Sequence, residues 1–175
     1  MMSMRAGSRG RPFGKLSVSA MAGLLGLSAV TVSGPAASAA GPFEGLEGSW
    51  GGSGTITYAS GTRERLRCKV QYTQANPDNL QQALRCASDS YKFQINAFFQ
   101  YNNGSLSGRW DELTMNIRGT LTGSATSGHI NGQLHGPGFL ATVRVDTSGS
   151  RQTVTIASSD QDIRSVAISV SKGAR

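Results

Sequence analysis

The chain has 175 residues, with 17 Lys/Arg against 10 Asp/Glu, two cysteines and two histidines, and a pI near 10.0. Its formal charge of +7 is misleading, because Arg5, Arg9, Arg11 and Lys15 sit at the extreme N-terminus, and beyond them 13 Lys/Arg meet 10 Asp/Glu. The high pI is therefore no sign of nucleic-acid binding, which is not expected in vivo, and any electrostatic argument must rest on local clustering.

The basic leader is followed by an uncharged, mostly apolar or small run, VSAMAGLLGLSAVTV (18–32), and then by SGPAASAA. That order reads as a secretory signal peptide spanning 1–39, cleaved after Ala39. The apolar run, about 15 residues, is short of the roughly 20 that a membrane span requires. A periplasmic or secreted protein of bacterial type is expected, with a short N-terminal arm at 40–48 and one domain at 49–172.

From residue 49 onward the pattern alternates with period two and is broken by Gly, Asn, Asp and Ser. This predicts an all-β chain. One face carries Ile56 and Tyr58; then Leu66, Cys68, Val70 and Tyr72; then Leu84 and Cys86. Tyr91, Phe93, Ile95, Ala97, Phe99 and Tyr101 follow on the same face. Asn103-Gly104 is a strong two-residue hairpin signal. It pairs Tyr101 with Leu106, Phe99 with Gly108 and Ala97 with Trp110. Further on, His135–Gly138 closes a hairpin that pairs Leu134 with Phe139. A meander of this kind leaves exposed edges unless it closes. The expected fold is an antiparallel up-and-down meander of about eight to ten strands, closed or nearly closed into a barrel. LSGRW (106–110), IRGTL (117–121) and INGQL (130–134) repeat the form apolar-x-Gly-x-apolar, with Gly inward. The inward Gly makes room for a ligand cleft or for a large neighbour such as Trp110 or Phe99.

Cys68 and Cys86 lie at equal distances from Pro77. A hairpin turning there sets them opposite each other, and an oxidising compartment predicts a disulfide. The same register puts Lys69 opposite Arg85. If Cys86 pairs with Tyr91 in the next hairpin, Arg85 meets Lys92. Arg63, Arg65, Arg67, Lys69, Arg85 and Lys92 would then share one outward face, a row that suits an anionic partner. Outward Phe98 pairs with Arg109 in this register and invites a cation–π contact.

Catalytic signals are missing. There is no Gly-x-Ser-x-Gly elbow, phosphate loop, metal motif or Cys–His couple. His129 and His135 are six positions apart on an outward face, and Asp111-Glu112 reads as turn composition. No cofactor or metal is expected.

LEGSW (46–50) before a Gly-rich strand resembles the Gly-x-Trp opening of lipocalin and avidin barrels. That resemblance implies that Trp50 plugs one end and that ligands bind inside. The same opening with two later cysteines looks like small secreted barrels that inhibit metalloproteases. LEGSWGGSGTI, SGTRERLRC, LRCASDSYKF and SGRW are similar to a group of small exported proteins of alphaproteobacteria, rhizobia and relatives. That resemblance implies export and a single domain. Three functions are expected in order. The first is a non-enzymatic module docking an anionic polymer, lipid head group or acidic protein of the envelope through the basic face. The second is a carrier of a small apolar ligand lined by Tyr91, Phe93, Phe99, Tyr101 and Trp110. The third is an inhibitor of an exported protease that uses Gly41–Glu47 as an inserting arm.

Overall fold

The computed structural model describes residues 41–159 and 162–174. The predicted signal peptide at 1–39 and its cleavage site lie outside these residues. Ten strands follow one another: β1 Gly48–Tyr58, β2 Arg63–Asn76, β3 Asn79–Ala87, β4 Lys92–Asn102 and β5 Ser105–Glu112. Then come β6 Ile117–Thr126, β7 His129–Gly136, β8 Phe139–Ser148, β9 Arg151–Ser158 and β10 Ile163–Lys172. Each pairs antiparallel with its chain neighbours, and β1 pairs with β10, so the sheet closes into a barrel. Closure gives every strand two partners and removes both edges. No helix occurs among the described residues.

Alternation sets the two faces. Along β2, Leu66, Cys68, Val70 and Tyr72 are buried, while Arg63, Arg65, Arg67, Lys69 and Gln71 are exposed. An outer wall of charged and polar residues is the reverse of a membrane-spanning barrel, whose outward band is apolar.

The turns fix the register. Asn103 and Gly104 both have positive φ, 45° and 91°, as a type I′ turn requires. Tyr101 pairs with Leu106, Phe99 with Gly108 and Ala97 with Trp110, as the Asn-Gly signal predicts. Two other hairpins differ from expectation by two residues. Cys86 pairs with Phe93 rather than Tyr91, because 88–91 forms a turn of its own. In it the Ser88 amide donates to the Tyr91 carbonyl, and the Tyr91 amide donates to Ser88 Oγ. Phe139 pairs with Gly136, and Leu134 with Ala141, because the turn contracts to Pro137-Gly138 with Gly138 at φ 81°. A shift of two keeps every side chain on its face; a shift of one would have inverted the strands.

The repeated inward glycines make room for large neighbours. A Cβ on Gly119 would meet the Trp110 ring at 2.4 Å, and one on Gly108 would meet the Phe99 ring at 2.8 Å. Trp110 and Phe99 thus lie across their glycine partners and stay close to the wall.

Candidate functional site: the barrel interior

One end of the barrel is closed by the segment that precedes β1. Residues 42–46 form a turn, and Phe43 and Leu46 are buried beside Trp50, which is 1% exposed. The Trp50 indole donates to the Leu46 carbonyl at 2.7 Å, and Trp50 meets Tyr72 edge to face at 6.3 Å. Lys172 Nζ donates to the Gly45 carbonyl at 2.8 Å, tying the end of β10 to the same turn. Buried Gln152 accepts from the Tyr72 hydroxyl at 2.7 Å and donates to Thr147 Oγ1 at 3.1 Å, so both ends of its amide are paired.

Above this floor lies a cavity of about 1180 Å³. Leu46, Tyr72 and Gln152 line its bottom; Ala97, Leu121, Val143 and Ile168 its middle; Tyr91, Met115, Pro137 and Phe139 its other end. Pro137 and Met115 are exposed and also line the cavity, which places its mouth there. Inward residues of β7 and β9, such as Leu134, Val154 and Ile156, stay half-buried because they face this space and not a packed core. Ten strands enclose a wider interior than the eight of a lipocalin, whose barrel holds one small ligand. The lipocalin-like expectation holds at the level of a barrel with Trp50 at its closed end; the strand number differs.

Of the five residues expected to line the interior, Tyr91, Phe93, Phe99 and Trp110 do so. Tyr101 does not. It packs against the core near the closed end, and its amide is bonded to the Asp78 carbonyl.

Two inward carboxylates hold the mouth, and sequence reading passed over both roles. Glu64 points inward, because it shares the parity of Leu66. It accepts from the Ser90 hydroxyl and amide and from the Tyr58 hydroxyl, at 2.6, 2.9 and 2.9 Å. Bonds from the Ser90 and Ser88 side chains, and then from the Ser90 amide and Tyr58, hold its carboxyl down to about 2. Glu112 is 5% exposed and accepts backbone N–H groups from Gln94, Thr114 and Met115. Burial pushes its carboxyl up, but these amides outweigh it and leave the group below the usual carboxylate range. Burial raises the Tyr91 phenol, and the charge of Glu112 adds to this. Asp111 instead faces out, 3.8 Å from Arg118. The signal that could have found both glutamates is an acid at an inward parity next to a turn.

The cationic face is present in altered form. Arg63, Arg65, Arg67, Lys69, Arg85 and Lys92 are all exposed on β2, β3 and β4. Lys69 stands opposite Arg85. Arg85 does not meet Lys92: it faces Gln94, and Lys92 lies level with Ala87 and Arg67. The expected disulfide joins Cys68 to Cys86, directly opposite each other. Arg109 stacks over Phe98 with its guanidinium carbon 4.7 Å from the ring centre. His129 is exposed and bonded to Asp146 at 2.8 Å.

Comparison with known proteins adds fold information only. No protein-family model matches the chain, and no curated protein sequence matches it. Among solved structures, Rv2717c from M. tuberculosis is similar at 12% identity and a TM-score of 0.58, covering 75% of this chain and 95% of that one. An S-type phycobiliprotein lyase, CPES from Guillardia theta, is similar at 11% identity and a TM-score of 0.56, covering 76% of this chain and 90% of its own. At such identities the likeness is one of barrel architecture.

Proposed function

We propose that this is an exported, non-catalytic protein that binds a small, uncharged apolar molecule inside its barrel. The observation that supports the reading is the cavity of about 1180 Å³, apolar along its walls, plugged by Trp50 and Leu46 and open beside Met115. Ligand sites are commonly concave, mostly apolar and about 300–1,000 Å³. Among the described residues the lining includes no Lys, Arg or His, whereas Glu112 and Asp162 lie along its upper part. A carboxylate-headed ligand would find no counter-charge there. Export accords with the Cys68–Cys86 disulfide, which persists in oxidising compartments.

The test is titration with the neutral apolar fluorophore N-phenylnaphthylamine. Saturable enhancement is expected for the native protein. It should be lost in Ala97→Phe and Ala141→Phe, which project a ring into the cavity from β4 and β8. Equal enhancement in the variants would place the probe outside the barrel and defeat the reading.

A second reading is favoured by one observation. Lys69 and Arg85 stand opposite each other, and no ion pair among the described residues joins any of the six cations of this wall. Like charges so placed do not help the sheet, and an anionic envelope component would neutralise them. Arg65→Glu, Arg67→Glu and Arg85→Glu together should then abolish a steeply salt-dependent association, and binding unchanged by the three substitutions would exclude it. The inhibitor expectation has no such support. Phe43 and Leu46 of its supposed arm are core residues, at 0% and 3% exposure, so trimming Gly41–Glu47 removes the floor of the barrel.

A further inference from the structure

We propose that the open end of the barrel docks on an anionic lipid bilayer, so that ligand passes between membrane and cavity without crossing water. This rests on the interior-binding reading above.

Among the described residues, the large apolar side chains left exposed are Leu113, Met115 and Leu140, at 54%, 55% and 43%. All three lie at the mouth. Leu113 and Met115 sit in the turn between β5 and β6, and Leu140 is the second residue of β8, beside exposed Pro137. At the opposite end Phe43, Leu46 and Trp50 are buried. Scattered exposed apolar residues need no explanation, but a set confined to the rim of an apolar cavity does. Met115 makes the two continuous, since it lines the cavity, accepts from the Tyr91 hydroxyl at 3.7 Å and is itself exposed.

Charge selects the occupant. Lys92 opens β4 beside the Leu113–Met115 turn, and Arg63 opens β2; both are exposed at the mouth. Arg65 and Arg67 continue the row down the wall from the mouth. Arg118 stands two residues beyond the turn with its side chain 77% exposed, near Asp111. The rim also carries Asp89 and Asp162, whereas Glu64 and Glu112 are turned inward and held by hydrogen bonds. Arg63, Lys92 and Arg118 thus flank the Leu113–Met115 turn on the β2–β6 side, and exposed Arg164 opens β10 across the mouth. Apolar tips flanked by Lys and Arg match the boundary between acyl chains and anionic head groups. A protein partner would satisfy the apolar tips, but the adjoining basic row favours an anionic surface.

The experiment is co-sedimentation of the processed protein with vesicles of phosphatidylcholine, alone or mixed with phosphatidylglycerol. The N-phenylnaphthylamine titration is run on the same protein preparations without vesicles, because the bilayer itself takes up the fluorophore. The native protein should bind the mixed vesicles more tightly. Leu113→Ser and Leu140→Ser, neither of which lines the cavity, should together lower that affinity by at least about tenfold, given the transfer free energy of exposed apolar side chains. Arg63→Glu with Lys92→Glu should lower it at least about fivefold per residue and remove the preference for phosphatidylglycerol. Both variants should still take up the fluorophore. Fluorophore uptake without vesicle binding by the native protein would overturn docking and leave the cavity reading standing. Vesicle binding unchanged in the Ser variant would overturn the assignment of the surface. A dimer in sedimentation velocity that disappears in the Ser variant would give the rim to a second copy and overturn it as well. Vesicle binding without fluorophore uptake would defeat the cavity reading, and the proposal with it.

Discussion

Tyr72 and Gln152, 80 residues apart in the chain, meet at the closed end of the barrel, where the phenol donates to the side-chain carbonyl at 2.7 Å. Gln152 is 2% exposed and Tyr72 5%. Tyr72→Phe keeps the ring but leaves a buried acceptor unpaired, a change that costs about 1–3 kcal/mol. Urea unfolding should show that loss with an unchanged m-value. Replacing Gln152 by Leu in the same background should recover part of it, because both polar groups then go together.

The Cys68–Cys86 bridge closes a separation of 18 residues. Chain entropy assigns such a loop about 3 kcal/mol. Reduction, or Cys68→Ala with Cys86→Ala, should lower the urea midpoint accordingly. The barrel should remain folded, because the strand pairing on either side does not depend on the sulfurs.

Beside the bridge, the Lys69–Arg85 pair opposes folding. Arg85→Glu converts a like-charge pair into an attractive one, with a gain of about 0.2–1 kcal/mol expected at low salt. The gain should shrink as salt is added, which denaturation at two ionic strengths would show.

How much of this was legible follows from which rules are local. The Asn103-Gly104 turn, the opposition of Cys68 and Cys86, and the stacking of Arg109 on Phe98 all follow from alternation plus one turn type. The Ser88–Tyr91 and Pro137-Gly138 turns set pairings two residues away from those that alternation predicts, because Ser88 closes its turn through its own side chain and Gly138 supplies a positive φ. Neither leaves a trace in hydrophobic period. Inward faces were readable, but whether they enclose a space was not. Cavity size depends on strand number and on Trp110 and Phe99 lying flat over Gly119 and Gly108. The roles of Glu64 and Glu112 were hidden for a related reason. Charged residues are rarely buried unless partnered, and their partners here are amides and hydroxyls that only the folded loops supply.

Those two glutamates make the mouth acid-sensitive. Both carboxyls lie below their ordinary range, Glu64 at about 2. A lowered folded pKa contributes stability that is present above the unfolded value near 4.5 and is lost as pH falls through the folded value. Hydrogen exchange of the Ser90 amide should therefore accelerate, beyond its intrinsic pH dependence, as pH drops from about 4.5 towards about 2, and that of the Thr114 and Met115 amides as pH falls below the usual carboxylate range. In Glu64→Gln the Ser90 amide should be less protected at neutral pH and lose that added dependence, while Thr114 and Met115 keep theirs.

The central claim is that the interior is a ligand site. Native mass spectrometry of the processed protein, taken gently from its producing cells, tests it most directly. The account predicts a stoichiometric extra mass that survives high salt, is absent from Ala141→Phe, and is released by organic solvent as a neutral apolar compound. A bare chain that also refuses neutral apolar compounds added in excess would contradict it.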